Sequence, residues 1–110
     1  FQKYWKDIAV EHEKAQVNQN KQEAFYNKYN SRFVTNYAST NPGEDIAEVF
    51  ATFVTKKEKP TGVTIAENKI LLMYKRTELV AFRNFIRENL NIRSRSNNVA
   101  FKLPKPSYAE

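Results

Sequence analysis

The sequence predicts an all-α fold, a small helical domain of about four helices over residues 1–90 with an irregular basic tail over 91–110, the whole forming one domain. Three observations predict it. A chain of 110 residues is long enough for one hydrophobic core but not for two. Hydrophobic residues make up 41% and aromatics 14%, enough to fill an interior and too many for wholesale disorder. Only two glycines and four prolines interrupt it, and its long polar stretches carry Glu, Lys, Gln and Ala, which favour helix over turn-rich sheet.

The elements follow in order. From Gln2 to about Gln16 the pattern is helical, with Tyr4, Trp5, Ile8 and Ala9 on one side. "QVNQNKQ" dilutes the apolar face and marks a break, after which a short helix is expected through "KQEAFYNKYN", Phe25, Tyr26 and Tyr29 pointing inward. "SRFVTNYAST" has β-branched and aromatic residues without a helical period and reads as an extended connection. The next helix starts sharply. Asn41, or Thr40 before it, is a good N-cap, and Pro42 suits the first helical position because its missing N–H would have lacked a partner there. Its predicted buried stripe is Ile46, Val49, Phe50, Phe53 and Val54, continuing to about Lys56. "KKEKPTG" stops it, and "TIAE" restarts a helix with Thr64 as cap and Glu67 three residues on. The apolar positions from Ile70 to Leu90 then form either one long helix or two with a bend near Thr77.

Composition also limits function. With no cysteine there is no disulfide, thiolate metal site or Cys nucleophile. No apolar run approaches the roughly 18 residues that span a bilayer, so no transmembrane segment is expected. The net charge of +6 is uneven: residues 1–55 carry six Lys/Arg against seven Asp/Glu, and residues 56–110 carry twelve against five. An anionic partner for the second half is one reading. The plainer one makes Lys69, Arg76, Arg83 and Arg87, spaced by seven, seven and four, the solvated stripe of an amphipathic helix. No RNP, zinc-finger or Gly-rich phosphate motif accompanies them, so nucleic acid is not the expected partner.

The informative stretch is "TNPGEDIAEVF", where Glu44, Asp45 and Glu48 crowd the first turns of a helix. Acids at a helix N-terminus complement the macrodipole, and Asp45 fits that role, projecting away from the line of Glu44 and Glu48. Glu44 and Glu48, four apart, share a face on which like charges repel. Ala47 and Ala51 beside them are small, which permits close approach of another helix over the two carboxylates. Acids under a packed neighbour need a cation or hydrogen-bond donors.

"YASTNPGEDIAEVFATFV", Tyr37 to Val54, resembles the glutamate helix of the zinc metallopeptidases related to anthrax toxin lethal factor and of bacterial zinc-binding peptidases with an N-P-x-E-D-x-A-E stretch. In that family an HExxH helix supplies two histidine ligands and the general base, and a later helix supplies a glutamate. The resemblance implies that Glu44 is the zinc-ligating carboxylate, that Glu48 orients a ligand histidine, and that Tyr37 stabilises the oxyanion during peptide-bond hydrolysis. It is strong over about eighteen residues and looser over "RTELVAFRNFIRENL". It leans toward bacterial export.

The chain departs from the family at the decisive point, for it contains no HExxH. His12, its only histidine, lies in "HEKAQ", where Gln16 stands at the second histidine position, and an amide oxygen is a poor zinc ligand. His12 therefore reads as a solvated helix residue. Two consequences are open: the chain is the C-terminal fragment of a longer peptidase, which its start at Phe1 favours, or it is a relative that has lost catalysis. In either case these 110 residues alone are expected neither to hold zinc tightly nor to cleave peptides, the upstream HExxH segment being the missing partner. The alternatives are a non-catalytic helical module whose basic half binds an acidic protein, a membrane surface or nucleic acid, and a structural helical domain whose acidic turn is only a cap.

Overall fold

A computed structural model describes residues 1–90; the expected tail over 91–110 lies outside the described residues. Five α-helices are found there, without a strand: α1 (Ala9–Ala15), α2 (Gln19–Lys28), α3 (Pro42–Thr55), α4 (Ile65–Tyr74) and α5 (Thr77–Asn89). The all-α expectation holds, with one helix more than counted because the run from Ile65 onward divides at Lys75–Arg76 into α4 and α5.

Local chemistry sets most boundaries. The Asn18 side chain caps α2 by accepting from the Lys21 N–H at 2.9 Å. Asn41 caps α3, its Oδ1 accepting from the Glu44 N–H at 2.8 Å, with Pro42 in the first position. Thr64 caps α4 through the Glu67 N–H. Glu67 reaches back beyond the cap, accepting from the N–H groups of Gly62 and Val63 at 3.0 and 2.8 Å. That tight entry needs Gly62, whose φ of 93° lies in the region L side chains avoid.

Two stretches differ from expectation. Residues 2–8 form two 3₁₀ turns, Gln2–Tyr4 and Lys6–Ile8, so only Ala9–Ala15 of the expected first helix is α. Residues 31–40 are not a plain extended connection: 3₁₀ turns at Asn30–Arg32 and Tyr37–Thr40 wind its two ends. Thr35 Oγ1 accepts from the Ala38 N–H, and Ser39 Oγ donates to the Asn36 carbonyl. Such local side-chain bonds compete with extended backbone.

Among the described residues the interior has two apolar clusters. Trp5, Ile8, Ala15, Phe25, Phe33 and Ala38 form the first, between α1, α2 and the 3₁₀ segments. Val49, Phe53, Val54, Ile70 and Met73 form the second, where α3 packs on α4 and α5. Val34 touches both. Phe50 is half-buried, stacked on Phe82, while Ile46 is 44% exposed, so the predicted stripe of α3 is narrower than its sequence suggests.

The solvated basic stripe does not exist as such. Lys69 lies on α4, Arg83 and Arg87 on α5, and Arg76 in the junction between them, where it alone of the four stands in solvent, paired with Glu78. Lys69 is fully buried. Arg83 donates to the carbonyls of Phe53 and Lys56 at 2.7 and 2.8 Å, and buried Arg87 donates to those of Val54 and Thr55 at 2.8 and 3.0 Å. These are the last carbonyls of α3, which have no intrahelical donor and sit at the negative end of the helix dipole. The two arginines close the C-terminus of α3.

Candidate functional site

The three carboxylates of α3 have three different fates, and the helical rotation between them is the reason. Glu44 is 3% exposed, so its side chain does not run into bulk water. Tyr37, in the 3₁₀ turn packed against α3, has its buried hydroxyl close enough to the Glu44 carboxylate to feel its charge. Burial, then the Glu44 and Glu48 carboxylates, push the phenol above its ordinary value, so it stays protonated and able to donate. Glu48, one turn on, is half-buried and accepts from Thr35 Oγ1 at 2.8 Å. The sequence-predicted trio of Tyr37, Glu44 and Glu48 thus lies on one side of the start of α3. Ala47 on this helix is exposed and Ala51 half-buried, so the expected small surface beside the acids is open at Ala47 only.

Asp45 does not serve as a solvated dipole partner. It is fully buried, and its Oδ2 accepts from Lys69 Nζ of α4 at 2.6 Å and from Trp5 Nε1 at 2.9 Å. Lys69 Nζ also donates to the Arg32 carbonyl at 2.6 Å and lies 4.4 Å from the Phe33 ring centroid. Burial pushes the Asp45 carboxyl up and the Lys69 ammonium down, each against the attraction of the other. Sequence reasoning missed this pair. Its partners are 24 residues apart, and a lysine at the seven-residue spacing of a basic stripe carries no sign of burial.

His12 is not a solvated residue either. It is half-buried, edge-on to Trp5 with ring centroids 4.9 Å apart, and its Nε2 lies 2.7 Å from the Thr40 carbonyl oxygen. A carbonyl only accepts, so Nε2 carries the proton and donates. That nitrogen is committed to holding α1 against the turn before α3.

Among the described residues no group of three or more His, Cys, Asp or Glu side chains could hold a metal ion. Glu44 offers one carboxylate, Glu48 is bonded to Thr35, Asp45 is neutralised by Lys69, and His12 faces a carbonyl. These residues therefore do not by themselves fit zinc, which needs four ligands around it. A cleft of about 610 Å³ beside α3 and α4, lined by Thr52, Phe53, Lys56, Pro60, Glu67 and Tyr74, includes none of the trio. No helix among the described residues is long and apolar enough to cross a membrane.

No family model, curated protein or solved structure matches the chain.

Proposed function

We propose that this chain is the glutamate-bearing part of a zinc-dependent peptidase site. Glu44 is the carboxylate ligand, Glu48 the acceptor that orients a ligand histidine, and Tyr37 the hydroxyl placed for a developing oxyanion. The imidazoles come from outside these 110 residues, and the chain alone is inactive. The observation that carries this reading is a carboxylate screened from water at the start of α3 with a protonated phenol beside it. A cap needs only exposure to the first-turn amides, and Asn41 already fills that position. Exposed Ala47, three residues beyond Glu44, leaves room for a helix to approach on that side of α3.

A basic docking module finds less support. Arg83 and Arg87, on which such a face depends, direct their donors to the carbonyls ending α3, and Lys69 is enclosed.

The test uses the complete gene product. Its sequence should contain a paired-histidine helix, and metal analysis of the purified protein should find one zinc per chain. Glu44→Gln should lose that zinc with an unchanged far-UV circular dichroism spectrum, while the 110-residue chain takes up none. A complete protein without paired histidines, or a Glu44→Gln variant that keeps stoichiometric zinc, defeats the proposal.

A further inference from the structure

The buried ion pair is costly and occupies the position next to the candidate ligand. Two charges withdrawn from water are seldom worth more to stability than apolar side chains of similar size. Apolar neighbours are available here, since Lys69 lies within an aromatic enclosure of Phe33, Tyr4 and Phe1. What a hydrocarbon could not supply is direction. The contacts of Val49, Phe53 and Val54 set which face of α3 turns inward, but they begin a turn beyond Glu44 and Asp45, and no buried apolar side chain of the helix holds its first turn.

The bonds at Asp45 are directional, and they tie four separate pieces of chain. Oδ2 receives the Trp5 indole N–H from the N-terminal turns and the Lys69 ammonium from α4, and that ammonium also holds the Arg32 carbonyl of the turn before residue 33. All of them converge on one carboxylate in the first turn of α3. Successive residues of a helix are about 100° apart, so fixing Asp45 inward fixes where Glu44 points.

We propose that Asp45 and Lys69 are positioning residues, a buried pair that sets the rotation of the first turn of α3 and thereby holds the Glu44 carboxylate close to the Tyr37 hydroxyl. The inference concerns orientation within this chain and stands whether or not zinc is what Glu44 holds. Its failure and that of the peptidase reading are therefore separable.

Two variants test it, Lys69→Met and the charge-free Asp45→Asn/Lys69→Met, in which Asn can still accept from Trp5. Nuclear Overhauser contacts between the Tyr37 ring and the Glu44 side chain are read beside contacts internal to the second cluster, such as Val49 to Ile70, and beside helicity. The expected result is loss of the Tyr37–Glu44 contacts in a variant that keeps its helicity and its Val49–Ile70 contacts. Unchanged Tyr37–Glu44 contacts in a folded charge-free variant overturn the proposal. Failure of both variants to fold overturns it too, since the pair is then a requirement of the fold rather than of the site.

Discussion

Lys69 and Asp45 are each enclosed completely, so the consequence of removing one depends on the charge left behind. Lys69→Met strands a buried carboxylate and is expected to cost about 3–5 kcal/mol at neutral pH, whereas the charge-free pair recovers most of that loss. The sign of the pH dependence follows from burial, which already raises the Asp45 carboxyl above its ordinary 3.8 and does so further without the ammonium. A folded-state value above the unfolded one means that the folded chain takes up the proton first. Stability of Lys69→Met is then greatest in acid and falls as pH rises through the folded-state value of Asp45. Urea unfolding in mild acid and at neutral pH checks this; a midpoint that falls on acidification contradicts it. Half-buried Glu11 runs the other way. Lys28 and Tyr29, at 2.7 and 2.5 Å, hold it below its ordinary value, and what it contributes is lost as pH falls.

Helix α3 carries the site, and its two ends are held by different means. Asn41→Ala removes the acceptor of the Glu44 N–H and is expected to cost about 0.5–2 kcal/mol in denaturant unfolding. Arg87→Met leaves the carbonyls of Val54 and Thr55 without its charged donor, for about 1–3 kcal/mol, again read from the urea midpoint. A cost near zero for Arg87→Met would mean that water replaces the guanidinium and that α3 needs no such closure. The N-terminal end was legible in the sequence, because Asn41 and Pro42 act within three residues of themselves, as Thr64 does for α4. The C-terminal end was not, because Arg83 and Arg87 reach back about thirty residues. The same distinction covers the 3₁₀ turns over 30–40: their packing against α3 and α4 is tertiary, and the local pattern reads only as non-helical. At the site, Tyr37, Glu44 and Glu48 were legible as a group because all three lie in one continuous segment. Asp45 read as a simple dipole partner because nothing within a turn of it reveals Lys69.

The whole molecule raises the question of whether its two apolar clusters behave as one body. Trp5 belongs to the first cluster, yet its indole bonds to Asp45 of α3, the helix that supplies Val49, Phe53 and Val54 to the second. Val34 packs against both clusters, and Lys69 of α4 holds the Arg32 carbonyl on the first cluster's side. Opening either cluster alone would break at least one of these bonds inside the interior, where an unpaired charge or donor is costly. Unfolding is therefore expected to be a single cooperative transition. Trp5 is the only tryptophan in the chain, so its fluorescence reports the first cluster while far-UV circular dichroism follows helices throughout. The two urea curves should coincide, and Phe53→Ala, costing about 3–5 kcal/mol as a core truncation, should displace both by the same amount although Phe53 lies in the other cluster. If the fluorescence midpoint stayed fixed while the helical signal moved, the clusters would be independent units, and a bond from Trp5 to Asp45 could not fix the direction of Glu44.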